Sequence, residues 1–274
     1  GNLFKGAWNP EQEPDQWKRL AALIAERNPK KIGLNYSPHF GHADGLAKTE
    51  WDNLMQHLPK AQQKRAVSAE KLAVDWLQIR TEKELQLYEQ ISQIGHAIIA
   101  EGFSEKVIQP GITTTDDVVW WFRERIAELK LEAWFHPTVD VQRANPGAGD
   151  SERSFAQRPS EETIMPGDLV HWDLGITYLK LNTDVQQLAY VLKPGESDAP
   201  VYLKKAIATG NRLQDILASH MQAGRTGNQV LKATLAQAQQ ENIIASIYSH
   251  PIGYHGHGAG PAIGMWDQQT GVPG

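Results

Sequence analysis

The hydrophobic positions of the chain change period several times, and each change predicts an element. Residues 16–27, QWKRLAALIAER, put Trp17, Leu20, Leu23 and Ile24 on one helical face. Residues 30–36, KKIGLNY, read as a short strand, and Pro, Gly and Asp mark 37–45 as a loop. Thr49 then opens a helix with Leu54, Met55 and Leu58 inward, which Pro59 ends. The stretch 61–72, AQQKRAVSAEKL, is expected as the boundary between two domains. Beyond it, Thr81 and Glu84 form a capping-box pattern ahead of a long helix with a stripe of Leu87, Ile91, Ile94 and Ile98. Thr114 and Asp117 cap a further helix, whose buried face is read as Val118, Trp121, Phe122, Ile126 and Leu129.

Residues 143–162 are rich in Gly, Pro, Ser and charge and read as a loop. After the turn at Met165, Pro166, Gly167 and Asp168, residues 169–192 read as three consecutive strands, an antiparallel meander. Helices are expected over roughly 198–222 and 227–241, and then a strand over 243–250 that leads into a Gly- and His-rich stretch.

Composition changes this picture only by exclusion. The 274 residues are long enough for one large domain or two smaller ones. With 41% hydrophobic and 22% charged residues, disordered, collagen-like and coiled-coil classes do not fit. There is no Cys, which removes disulfides, zinc–thiolate sites, iron–sulfur clusters and a thiol nucleophile together. The net charge is −5 and the densest basic pieces are dipeptides, so no nucleic-acid partner is expected. The longest apolar run, 20–25, is six residues, too short to span a membrane. The N-terminal residues lack a charged-then-apolar signal pattern, although a removed signal stays open.

The chemistry gathers in the last third. Asp173 lies in the first predicted meander strand and Asp184 at the end of the second. Carboxylates on paired strands can face each other, and bare like charges there want a cation between them. Asp beside Gly at strand ends is common, so this pair alone carries little weight. The segment SHPIGYHGHGAG, 249–260, adds His250, His255 and His257 within eight residues. A lone histidine there would be a solvated loop residue. Three of them downstream of two strand-borne carboxylates make a donor set suited to Zn²⁺, Mn²⁺ or Co²⁺.

These residues resemble the pita-bread metallopeptidases, the group of aminopeptidase P, prolidase, methionine aminopeptidase and creatinase. The matching pattern is Asp173-Leu-Gly175, then Asp184 eleven residues on, then His250-Pro-Ile-Gly253-Tyr-His-Gly-His257. PGITT, 110–114, resembles the Pro-Gly-Val-Thr region of the same family. The likeness runs over about 70–274, and the preceding piece resembles the end of the N-terminal domain of the aminopeptidase P and prolidase branch. The fold so implied is α+β. A pita-bread (creatinase/aminopeptidase) catalytic domain over 67–274, lacking its last strands, would follow part of an α/β N-terminal domain over 1–66.

The resemblance also implies an activity: a dinuclear exopeptidase that hydrolyses Xaa-Pro bonds through a metal-bridging hydroxide. Asp173 would be a bidentate ligand, Asp184 would bridge two divalent ions, and His250 would ligate the second. His257 would be the catalytic histidine that hydrogen-bonds substrate. Mn²⁺ is the first expectation for the cofactor, with Zn²⁺ or Co²⁺ as alternatives. The partner would be a peptide with proline near its N-terminus. Homodimers are common for this resemblance, and a cytoplasmic location is the default, with periplasmic or secreted left open. A second register, Gly256-His257-Gly258-Ala-Gly260, resembles methionine aminopeptidases and would make His257 the metal ligand.

Two departures stand beside the match. Family members carry another histidine 17 or 18 residues before the first Asp, where this chain has Phe155-Ala156. His171 shares a strand face with Asp173, and His136 is a second candidate substitute. Against both stands the plainer reading of ordinary strand or turn histidines. The family also supplies two Glu ligands after the histidine motif, whereas 17 residues without a Glu follow His257 here. The chain is therefore expected to be truncated or its site incomplete. The alternative function is a catalytically inactive pita-bread domain that binds peptide or protein. A serine hydrolase and a zincin are excluded by the lack of Gly-x-Ser-x-Gly and His-Glu-x-x-His.

Overall fold

The structure, a computed structural model, describes residues 3–143 and 161–272. Residues 144–160 of the expected loop, including Phe155 and Ala156, lie outside the described residues. The chain divides into two compact units between Leu77 and Gln78. Among the described residues, no helix is long and apolar enough to cross a membrane.

The first unit holds α1 (Gln16–Arg27), β1 (Ile32–Leu34), α2 (Lys48–His57), the short α3 (Lys60–Gln63), β2 (Ala66–Ser68) and α4 (Glu70–Leu77). The stretch expected as a domain boundary is thus structured. Its strand, three residues long, is too short to show a period. β2 lies parallel to β1, with Ile32 opposite Ala66. The crossover between them carries α2, as parallel pairing requires. Ala21, Ile32, Leu34, Leu54 and Leu58 form the core. Asp15 caps α1 by accepting from the amides of Trp17 and Lys18. Its Oδ2 also lies 2.9 Å from Nε2 of His57 on α2, so one carboxylate ends one helix and ties it to the next.

The second unit begins with α5 (Glu82–Gly102) and α6 (Thr115–Glu128), both opened by the expected capping boxes. Val118, Phe122 and Ile126 of α6 are buried as read, but Leu129 is 41% exposed because the helix ends there. β3 (Glu132–Ala133) and β4 (Thr138–Gln142) follow. The predicted meander is instead one long hairpin shared between two small sheets. Its outgoing arm is β5 (Leu169–Leu174) and β6 (Ile176–Tyr178), and its return arm is β7 (Leu181–Asn182) and β8 (Val185–Tyr190). β5 pairs between β4 and β8, while β6 pairs between β3 and β7, all antiparallel. The hairpin breaks at Gly175 on one arm and at Thr183 and Asp184 on the other. Two helices, α7 (Val201–His220) and α8 (Gly227–Gln240), come next. The expected strand over 243–250 is a correction. Among the described residues it makes a single bridge, Ser249 to Ile263, since no neighbouring ladder extends it.

Burial along β5 alternates, with Val170, Trp172 and Leu174 inward and His171 and Asp173 on the other face. Trp172 is fully buried. Its ring meets Phe103 at 3.8 Å and Phe122 edge-on at 4.3 Å. This aromatic cluster anchors the strand that carries Asp173.

Trp172→Ala should cost about 3–5 kcal/mol by leaving a cavity, read as a lower urea midpoint. In the first unit, the Asn53 carbonyl and then Asp15 raise the His57 pKa, and the Lys18 amide leads the causes that lower Asp15. The His57 contribution is complete below its unfolded value and fades as pH rises through the raised folded one. The stability gap between wild type and His57→Gln should therefore narrow as pH climbs above about 6.5, measured by urea denaturation.

Candidate active site

The hairpin register sets the first two donors. Asp173 is opposite Gln186 and Leu174 is opposite Val185. The pairing resumes with Thr177 opposite Asn182, so the same register puts Asp184 across from Gly175. Asp173 and Asp184 are diagonal neighbours on one face, a separation at which side chains interact. Burial first, and then the Asp184 charge, push the Asp173 carboxyl up to about 7. Asp173 Oδ1 is buried and takes no hydrogen bond among the described residues.

The histidine segment is tied back to the hairpin by its own backbone. The Asn182 amide donates to the Gly253 carbonyl at 2.8 Å, and the Asn182 side chain donates to the Tyr254 carbonyl at 3.0 Å. This docks His250 with its Nε2 3.3 Å from Asp184 Oδ2. The other ring nitrogen, Nδ1, lies 3.1 Å from the Pro251 carbonyl. An N–H on Nδ1 satisfies that carbonyl and leaves Nε2 to face the carboxylate. Asp184 is the main reason the His250 pKa is raised. The His257 ring packs edge-on against His250 at 4.3 Å between centroids. Burial, and then the charge on His250, lower its pKa. Asp184, His250 and His257 each offer a ligand atom, and these atoms lie within 4.8 Å of one another.

The structure therefore brings Asp173, Asp184, His250 and His257 together. His136 goes elsewhere: its Nδ1 lies 3.0 Å from Arg123, beside Trp120, on the exposed side of α6. His171 stays on the Asp173 face. It contacts Asp140 through Nδ1 at 3.1 Å and Gln186 through Nε2 at 3.1 Å, and Asp140 is the main cause of its raised pKa. Gln186 in turn donates to Asp173 Oδ2 at 3.3 Å.

Three contributors escape a reading of the motifs. Asp140 could have been found, because TVDVQ alternates and puts Asp140 opposite to Val139 and Val141. Gln186 follows from the register once the hairpin is known. Trp134 leaves no signal in the sequence, yet it joins both motifs. Its indole N–H donates to the Thr183 carbonyl at 2.6 Å, one residue before Asp184. Its ring meets His257 edge-on at 5.4 Å. A Cβ on Gly175 would come within 2.2 Å of the Trp134 nitrogen, and one on Gly256 within 2.2 Å of its ring carbons. Gly256 thus leaves room for Trp134, Gly175 for Trp134 and Phe135 together, and Gly253 for the Arg80 guanidinium.

Two carboxylates, two imidazoles and a buried carboxylate oxygen without a partner fit a divalent cation. Without one, protons must balance the charge.

Comparison with known proteins points the same way. Residues 86–271 match the family model described as metallopeptidase family M24. No curated protein sequence matches the chain. Among solved structures, the X-Pro aminopeptidase from Thermotoga maritima MSB8 aligns with a TM-score of 0.63 at 15% identity, covering 94% of this chain and 67% of that one. The Xaa-Pro dipeptidase from Bacillus anthracis gives 0.59 at 19%, covering 93% and 65%. The recombinant prolidase from Thermococcus sibiricus gives 0.59 at 17%, covering 98% and 68%. The chain thus spans about two thirds of the length of these proteins. At such identities the likeness establishes the fold, a pita-bread catalytic domain that follows an N-terminal domain.

Trp134→Phe keeps a ring but removes the indole N–H. It should cost about 1–3 kcal/mol by leaving the buried Thr183 carbonyl unpaired, seen as a lower urea midpoint with displaced His257 ring resonances.

Proposed function

The chain belongs to metallopeptidase family M24, and we propose that it is a dinuclear metal-dependent exopeptidase that hydrolyses Xaa-Pro bonds, of the aminopeptidase P or prolidase type. The observation that carries this reading is the convergence of Asp173, Asp184, His250 and His257 on one spot. A diagonal carboxylate pair that pushes one member up to about 7 is an unfavourable arrangement for a structural site. It is a favourable one for holding divalent cations. The Xaa-Pro branch is supported by the N-terminal unit and by the names of the structural relatives.

In this reading Asp173, Asp184 and His250 hold two divalent ions, with Mn²⁺ the first choice. When bound, such ions act as Lewis acids and make water a nucleophile near neutral pH. The chain's own residues do the rest. The Pro251 carbonyl holds His250 with Nε2 outward, the atom a ligand must offer. Partial burial, and then the charge on His250, lower the His257 pKa, which favours its neutral form. A neutral imidazole can donate its single N–H to the peptide carbonyl oxygen as negative charge develops there. Trp134 packs edge-on against the His257 ring, which limits its rotation.

Metal analysis and turnover of an Xaa-Pro peptide test the reading together. Asp184→Asn should lower metal occupancy and activity in parallel, because the amide lacks the negative charge that would hold divalent ions. His257→Ala should lower turnover by about 10²–10³, the usual loss for an oxyanion donor, with metals retained. If His257→Ala strips the metal instead, the ligand histidine is His257. If wild type takes up less than one equivalent, the domain is a binding module and the peptidase assignment falls.

A further inference from the structure

Behind the Asp173 carboxylate runs a line of hydrogen bonds drawn from three strands. On β4, Asp140 is the register partner of His171 on β5, and Asp140 Oδ2 lies 3.1 Å from His171 Nδ1. On β8, Gln186 is the register partner of Asp173. Its side chain spans two residues of β5 at once. Gln186 Oε1 lies 3.1 Å from His171 Nε2, and Gln186 Nε2 lies 3.3 Å from Asp173 Oδ2.

The direction of this line follows from donor and acceptor chemistry. A carboxylate only accepts, so the Gln186 amide turns its NH₂ to Asp173 and its carbonyl to His171. That carbonyl only accepts, so His171 Nε2 carries a hydrogen. Asp140 makes the same demand on Nδ1. Each link then orients the next: Asp140 sets the ring, the ring sets the amide, and the amide sets the carboxylate. At the far end, Oδ2 of Asp173 is engaged while Oδ1, buried, takes no hydrogen bond among the described residues.

We propose that Asp140, His171 and Gln186 are positioning residues that hold the Asp173 carboxylate through Oδ2 and fix its orientation toward the cation site. The proposal rests on the metallohydrolase reading above. Gln186 is exposed on its strand face and Asp140 is only partly buried, so their place in the fold asks for neither amide nor carboxylate. The oxygen without a partner is what gives the line a purpose. An amide donor on one carboxylate oxygen stops the group from rotating about its Cβ–Cγ bond, so the ligand is set before the cation arrives. Hydrogen-bond partners behind a metal ligand usually contribute 10–100-fold to metal affinity.

The test uses the whole chain, stripped of metal and titrated with Co²⁺. Calorimetry gives stoichiometry and affinity, and the visible absorption of the cation reports its ligand geometry. Gln186→Leu should weaken Co²⁺ binding by about 10–100-fold and change the absorption envelope, with little effect on the melting of the metal-free protein. Asp140→Ala touches neither Asp173 nor Gln186, and it should show the same change in weaker form, transmitted through His171. If both variants bind Co²⁺ with the wild-type affinity and spectrum, the positioning role is overturned while the metallohydrolase reading stands. If wild type itself takes up no Co²⁺, that reading falls first and the proposal with it. Should Gln186→Leu fail to fold, Asp140→Ala alone decides the matter by the same two readouts.

Discussion

Like charges a few ångströms apart and half buried do not coexist without something to balance them. That constraint governs the second unit of this chain. Asp173 and Asp184 share one face of a hairpin, and burial together with the Asp184 charge raises the first carboxyl to about 7. His250 closes on Asp184 at 3.3 Å from a segment 66 residues further on. The repulsion is sustained because the strand beneath has no freedom to yield. Trp172, between His171 and Asp173, is locked under Phe103 and Phe122. The core holds the carboxylates where they would not place themselves, an arrangement that a cation would relieve.

Holding the two motifs in one place is a separate task, and a single indole performs much of it. Trp134 donates to the carbonyl ahead of Asp184 and lies against His257. It fills the space that side chains on Gly175 and Gly256 would need. Gly175 and Gly256 therefore acquire a steric explanation. A glycine beside such a carboxylate or imidazole is often assigned to backbone flexibility, but here the close approach of aromatic rings is sufficient reason. On the opposite side of Asp173, the Asp140, His171 and Gln186 line acts through hydrogen bonds rather than packing. The two supports differ in kind, one steric and one directional, and they meet at the same hairpin.

Local features of this fold are legible in the amino-acid sequence. The capping boxes at Thr81 and Thr114 mark their helices because the cap is local, reaching three residues. Asp173, Asp184 and the histidine segment are legible because their spacing is unusual and their residue types share a chemistry. Short elements are legible only in part: β1 shows as an apolar run, whereas β2 and β3 do not. β2 has three residues, and β3 two, fewer than a period-two pattern needs to declare itself. The stretch over 243–250 is apolar enough to suggest a strand, but a strand exists only through its partners. Among the described residues it finds one bridge.

By itself, then, the sequence determined which donors this protein owns, where the capped helices α5 and α6 start, and which face of β5 Asp173 and His171 share. Those are properties of neighbours along the chain, set by caps, turns and the alternation of side chains. Tertiary structure alone decided that Trp134 should stand between the two motifs, that His171 should serve Gln186 and Asp140, and that His136 should lie outside the site. Each of those depends on residues distant along the chain meeting at hydrogen-bond or van der Waals distance. No periodicity encodes such a meeting, because it results from how the hairpin bends at Gly175 and where the histidine segment docks on Asn182.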